Sequence, residues 1–213
     1  MVQFNKNLNY EWSGNMKKLS FIAMLCLLVI SISTTVFAEA VLDSQETTVI
    51  TTKPSIAVIP YFNSTEETRG YVQEVVDSKY GEQYFNKDFK LIPLLEVQKS
   101  LNNAGYDVSN KELPDKDVLT SVAKNTNADY VVAMEISQLI TTRHLSFFQT
   151  KVVTKAKLRY KFYNAKNDRL ISFQTVGTSE NKTSFGDVGY KDPITKALNQ
   201  AMDDANVKIM SNI

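Results

Sequence analysis

The feature that most constrains the fold is a strict alternation of charged and apolar side chains after Lys151. Successive side chains of a β-strand point to opposite faces of a sheet, so this pattern predicts a strand with one face in water and the other in the core. The two faces carry Lys155, Lys157, Arg159 and Lys161 on one side and Ala156, Leu158, Tyr160 and Phe162 on the other. Turn residues at 164–168 then predict a hairpin whose second strand runs over residues 170–177.

Before this hairpin, strands and helices alternate along the chain. Short apolar runs predict buried strands near residues 54–60, 89–93 and 129–136. Apolar residues at helical spacing predict one helix after the first strand and two helices after the second, and a last helix begins near Pro193. The resulting order, βαβααβββα, predicts a single-domain α/β fold of three layers, with a mixed sheet between helices.

The N-terminal region has the pattern of an export signal. Met16 is followed by two lysines, an apolar run and small residues up to Ala38, which is typical of a signal peptide cleaved after Ala38. Polar residues from Ser31 onward leave the apolar run shorter than the ~20 residues of a membrane-spanning helix, although an uncleaved anchor is the alternative. We interpret residues 1–15 as an untranslated leader, 16–38 as the signal peptide, 39–53 as a tether and 54–213 as the folded domain. We expect no transmembrane segment after cleavage.

Composition excludes most kinds of chemical site. The chain has one Cys, Cys26, which lies inside the predicted signal peptide, and one His, His144. A disulfide framework, a Cys-rich zinc site and a His-cluster metal site are therefore excluded, and no cofactor is expected. Met24 and Leu25 precede Cys26 where a lipid-attachment signal needs small residues, so lipidation is not expected. The net charge of +1 gives no indication of a nucleic-acid partner.

Two surface features are candidate binding sites. We interpret residues 143–148 as a polar connection in which the adjacent Phe147 and Phe148 cannot both point into one core. Exposed aromatic pairs are typical of contact with a partner or a membrane, and a loop folded back on the sheet is the alternative. The predicted partner-binding residues are Arg143, His144, Phe147 and Phe148. The second feature, which we name the basic row, consists of Lys155, Lys157, Arg159 and Lys161. It is suited to an anionic lipid, a glycan or an acidic protein, or is simply a solvated sheet face.

Several segments resemble the CsgG-like domain of the curli-secretion channel family. They are residues 56–63 (IAVIPYFN), 89–98 (FKLIPLLEVQ), 128–134 (ADYVVAM) and 186–205, which begins with GDVGY and includes the last predicted helix. Proteins of similar fold include the amino-terminal domain of the Tol-system β-propeller protein, TolB, and lipoprotein activators of peptidoglycan synthases. The resemblance implies a CsgG- and TolB-like domain over residues 54–213. It also implies a domain that assembles with copies of itself or docks on other envelope proteins, and that is not an enzyme.

Two departures from the channel family limit what the resemblance implies. Channel subunits are lipid-anchored, and each places two long β-hairpins in the outer membrane. We interpret residues 139–150 and 178–191 as connections, which are too short for pairs of membrane-crossing strands of about 9 to 11 residues.

We therefore expect a secreted or periplasmic, non-enzymatic binding module of the bacterial cell envelope. Its partner is an envelope protein or a second copy of the chain, with peripheral contact with the outer membrane as an additional expectation. A secretion-channel subunit and an envelope hydrolase that uses His144 are the alternatives.

Overall fold

The computed structural model describes residues 53–85, 88–184, 186 and 188–213. Apart from Lys53, the predicted leader, signal peptide and tether lie outside the described residues, so their boundaries stay predictions. Within the described part of the chain, no helix combines the length and the apolar character needed to span a membrane.

The described strands form one mixed sheet. They are β1 (Ser55–Val58), β2 (Phe62–Asn63), β3 (Lys90–Leu91), β4 (Tyr130–Ser146), β5 (Gln149–Asn164) and β6 (Arg169–Thr183). The order across the sheet is β3-β1-β4-β5-β6, and β2 also pairs with β4. The pairs that involve β1, β2 and β3 are parallel, whereas β4, β5 and β6 pair in antiparallel fashion.

Helices cover both faces of this sheet. They are α1 (Gly70–Tyr80), α2 (Leu94–Asn103), α3 (Lys116–Thr126) and α4 (Lys191–Met210). On one face, α1 and α4 bury residues such as Val76 and Leu198 against Met134 and Leu158 of the sheet. On the other face, α2 and α3 bury a second cluster that includes Val97, Leu119 and Val131. The predicted three-layer α/β fold and its element order are confirmed, and the two-residue strand β2 is an addition.

The packing of α4 on β6 depends on the absence of a side chain at Gly177. A Cβ atom at this buried position would lie 1.8 Å from the carbonyl oxygen of Ala197 and 2.8 Å from the amide nitrogen of Ala201. Nearby, Gln200 Oε1 accepts a hydrogen bond of 2.9 Å from the Thr178 N–H. Lys208 Nζ donates one of 3.1 Å to the Gln174 carbonyl oxygen. The helix therefore contacts both the face of β6 and its backbone.

Candidate functional site

The segment predicted to be a polar connection is a long β-hairpin. Strands β4 and β5 stay in register up to the pairing of Ser146 with Gln149, so the turn is formed by Phe147 and Phe148 alone. The prediction of a connection over residues 143–148 is therefore wrong. The reason is that no residue of β4 is buried after Ile136, so backbone pairing extends the strand without the apolar alternation by which strands are recognised in sequence.

The strands on both sides of the two predicted connections are longer than the sequence indicates. Residues 139–146 belong to β4, residues 149 and 150 belong to β5, and β6 continues to Thr183. The assumption that residues 139–150 and 178–191 are only connections is wrong, so the argument from length against a secretion-channel subunit does not apply. That alternative stays a prediction.

The end of the hairpin carries an exposed apolar cluster, which we name the tip and define as Leu145, Phe147 and Phe148. Phe147 is 94% exposed and Phe148 is 74% exposed. Their ring centroids lie 4.8 Å apart in an edge-to-face arrangement. Both rings thus point into solvent. The alternative, in which this segment folds back and packs on the sheet, is wrong.

His144 lies beside the tip, among other basic side chains. It is paired in register with Lys151, and Lys151 is paired with Lys182 on the next strand. The Lys151 ammonium also forms an ion pair of 2.5 Å with the Glu180 carboxylate. The hydrogen bond from Lys151 is the main reason why the pKa of Glu180 lies below its ordinary value. This side of the hairpin is therefore predominantly positive.

Arg143 has a different environment from the other predicted partner-binding residues. Its guanidinium lies 5.7 Å from the ring centroid of Tyr190, at the start of α4, and Arg69 approaches the same ring at 5.3 Å. Arg143 therefore contacts the body of the domain. The structure brings Phe147, Phe148 and His144 together at the end of the hairpin and places Arg143 apart from them.

The basic row is divided between two kinds of environment. Arg159 forms an ion pair with Glu135, whose side chain is only 3% exposed, and the Arg159 Nε atom lies 2.6 Å from Glu135 Oε2. Lys161 Nζ donates hydrogen bonds to the carbonyl oxygens of Leu113, at 3.2 Å, and Pro114, at 2.8 Å. Sequence reasoning missed the buried Glu135, although a lone Glu within the apolar run 130–136 was a visible signal.

Lys155 and Lys157 are the other half of the row. Lys155 is exposed and Lys157 is half-buried. Within the residues that the structure describes, neither side chain forms an ion pair. Only these two members of the row are therefore available to steer a charged partner.

The different environments of Lys161 and Lys157 can be tested by measuring how replacement of each lysine changes the free energy of unfolding. Lys161→Met removes two hydrogen bonds that hold the segment before α3, so we expect the free energy of unfolding to fall by about 1 to 2 kcal/mol. Lys157→Met, on the same face of the same strand, is the matched control and should change it by less than about 0.5 kcal/mol. Urea denaturation measures both values. Equal losses in the two variants would contradict a structural role for Lys161.

Comparisons with known proteins give structural similarity only. No family model matches the chain, and no curated protein sequence matches it. The hypothetical protein CT253 from Chlamydia trachomatis is similar at 15% identity, with 76% of this chain and 95% of that chain covered and a TM-score of 0.45. Lipoprotein GNA1162 from Neisseria meningitidis is similar at 12% identity, with coverages of 75% and 99% and a TM-score of 0.41. The C-terminal domain of LpoB from Salmonella enterica is similar at 12% identity, with 59% of this chain and 83% of that chain covered and a TM-score of 0.35.

A lipoprotein is thus among the similar structures. At these identities and TM-scores the similarities carry no argument about function, and the fold class rests on the strand order and layers described above. The resemblance to the CsgG-like domain itself stays a prediction.

Proposed function

We propose that the chain is an exported, non-enzymatic binding module of the bacterial cell envelope, and that it docks on a protein partner through the tip. The observation that carries this proposal is the exposure of two adjacent aromatic rings, Phe147 and Phe148, at the end of a hairpin. Full burial of one such side chain is worth about 1.5 to 3 kcal/mol. Aromatic anchors of this kind supply much of the binding energy in protein interfaces.

The construction of the hairpin supports this role. The ladder between β4 and β5 is continuous from the bulge near Gln138 to Ser146, and the Ser146 hydroxyl donates a hydrogen bond of 2.9 Å to the Gln149 carbonyl oxygen. Farther from the tip, the Thr141 and Thr154 hydroxyls lie 3.0 Å apart and share a hydrogen bond. A tip that is already ordered loses less conformational entropy on binding.

The charges near the tip favour a partner with an acidic rim. His144, Lys151 and Lys182 lie in one row across three strands, and Lys155 follows on the same face of β5. Complementary charge at the edge of an interface mainly raises the association rate. In this proposal the rings supply affinity, and Lys155 and Lys182 steer the approach.

His144 also decides between the proposal and the hydrolase alternative. It lies on an exposed part of β4, and its neighbour across the strands is a cation, Lys151. A hydrolase that depends on this histidine would lose its activity in His144→Ala. The binding module keeps its partner in the same variant, because the rings are unchanged.

The tip itself is tested by truncation. The double variant Phe147→Ala, Phe148→Ala is expected to weaken partner binding by about 2 kcal/mol or more, which is about 30-fold in Kd. Both rings are exposed, so the melting temperature should change little. Phe85→Ala is the matched control, since Phe85 is another exposed phenylalanine, 75% accessible, outside the tip.

The partner for this measurement is first captured through a photo-crosslinking phenylalanine analogue at position 147 in growing cells. The crosslinked product is identified by mass spectrometry, and the Kd of the purified pair is then measured by calorimetry. A product of twice the chain mass identifies a second copy as the partner. Crosslinking to lipid alone, or equal Kd values for the wild type and the double variant, would refute docking on a protein through the tip.

A further inference from the structure

A concave site lies on the part of the sheet that the tip does not involve. It is a cleft of about 480 Å³ at the carboxyl ends of β1 and β3. After β1 the chain passes through β2 to α1 on one face of the sheet, whereas after β3 it enters α2 on the other face. Clefts where the chain leaves neighbouring parallel strands toward opposite faces are the usual ligand sites of open α/β sheets.

The lining of the cleft is mainly apolar. The volume lies within the range of small-ligand sites, which is roughly 300 to 1,000 Å³. Leu94, the first residue of α2, is 55% exposed at its border, so part of this apolar wall is uncovered. The apolar wall is formed by Ile59, Leu91, Ile92 and Leu94 and by the rings of Tyr61 and Tyr80.

The two tyrosine rings form a fixed part of this wall. Their centroids lie 6.1 Å apart in an edge-to-face arrangement. The Tyr80 hydroxyl shares its one proton between the carbonyl oxygens of Ile59, at 3.2 Å, and Val132, at 3.3 Å. A wall anchored in this way is formed before any ligand arrives, which limits the entropy cost of binding.

Asp77 gives the cleft its charge. Among the described residues that line it, Asp77 is the only one with a charged side chain, and the other polar groups are Gln73, Gln98 and the Tyr61 phenol. Burial, followed by the nearby Asp77 carboxylate, raises the pKa of Tyr61 well above its ordinary value, so the phenol stays protonated beside that carboxylate. An apolar wall next to one carboxylate favours a ligand that is apolar at one end and positively charged at the other.

We propose that this cleft binds a small amphiphilic amine, with its apolar body against Leu94 and the Tyr61 ring, behind which the buried Tyr80 lies, and with its ammonium group at the Asp77 carboxylate. The inference goes beyond the proposed docking function and does not depend on it. It predicts discrimination by charge, because an amine is attracted to Asp77 and a carboxylic acid of the same shape is repelled.

The test uses three probes with one apolar body and different head groups: phenylbutylamine, phenylbutanol and phenylbutanoate. Each is titrated into the purified chain, and the amide shifts of Tyr61, Gly81 and Leu94 are followed by NMR. We expect the amine to bind about threefold more tightly than the alcohol, the effect of an exposed ion pair, and the acid to bind most weakly.

Four variants at exposed positions identify the site. Asp77→Asn should reduce the affinity for the amine to that for the alcohol, whereas Asp204→Asn, on α4 outside the cleft, should leave it unchanged. Leu94→Ser should weaken all three probes about fivefold through lost apolar contact, whereas its neighbour Leu95→Ser should weaken none.

Three results would overturn the proposal. The first is equal affinity for the amine and the acid, and the second is tighter binding of the amine than of the alcohol in the Asp77→Asn variant. The third is that none of the three probes, up to its solubility limit, changes the NMR amide shifts of residues at the cleft.

Discussion

Gly177→Ala is expected to lower the free energy of unfolding by about 3 kcal/mol, at the upper end of the usual cost of overpacking a core. The added methyl group would lie 1.8 Å from the carbonyl oxygen of Ala197, and this oxygen belongs to the backbone of α4. A flexible side chain could move aside, but here the whole helix must move away from β6. Since α4 buries eight residues, seven of them in the core cluster, its displacement is costly.

The expected change in melting temperature is a decrease of about 10 °C for a domain of this size. Gly81→Ala is the control, because Gly81 has a negative φ of −75° and nothing lies within 4 Å of the position of its Cβ. It should melt within about 2 °C of the wild type. Calorimetry measures both variants. A Gly177→Ala protein as stable as the Gly81→Ala protein would show that β6 and α4 are not packed as described.

Arg159→Met has the second-largest expected effect, a loss of about 2 to 3 kcal/mol of unfolding free energy. It leaves the carboxylate of Glu135, which is 3% exposed, without its cationic partner. Removal of one member of a fully buried pair costs about 3 to 5 kcal/mol. Here water partly replaces the lost charge, because the Arg159 side chain is 53% exposed.

The double variant Glu135→Leu, Arg159→Met separates the cost of an unpaired charge from the loss of packing. A buried ion pair replaced by apolar residues is often neutral in stability. We therefore expect the double variant to regain most of the stability that Arg159→Met loses, as measured by chemical denaturation. A double variant as unstable as the single one would mean that Arg159 stabilises the sheet through contacts other than its pairing with Glu135.

The parts of the fold that the sequence predicted correctly are those in which apolar residues recur with a clear period or form a short continuous run. The alternation at residues 155–162 predicted a strand with one dry face, and Leu158, Tyr160 and Phe162 are indeed buried there. The continuous apolar runs of β1 and of the first half of β4 also predicted strands, and both segments are strands in the structure. Burial of one face imposes the alternation in β5, and burial of both faces imposes the continuous apolar run in the first half of β4.

Prediction failed where backbone pairing extends a strand without burial. The second half of β4 contains β-branched residues that favour a strand, but it lacks the alternation of apolar and polar side chains that one buried face imposes. The adjacent phenylalanines were visible in the sequence, but the long hairpin that presents them was not. The cleft that contains Asp77 could not be predicted from the sequence either, because its walls come from segments that are distant in sequence and meet only in the folded chain.

The two hydrogen bonds from α4 to the backbone of β6 have a consequence for how copies of this chain behave at high concentration. β6 is the last strand in the described sheet, and a last strand presents backbone groups to which a strand of another molecule can add. At the Thr178 N–H and the Gln174 carbonyl, those groups are already bonded to Gln200 and Lys208. An incoming strand would have to displace both side chains before it could pair along this stretch. The helix that completes the core therefore also protects the middle of the sheet edge against aggregation.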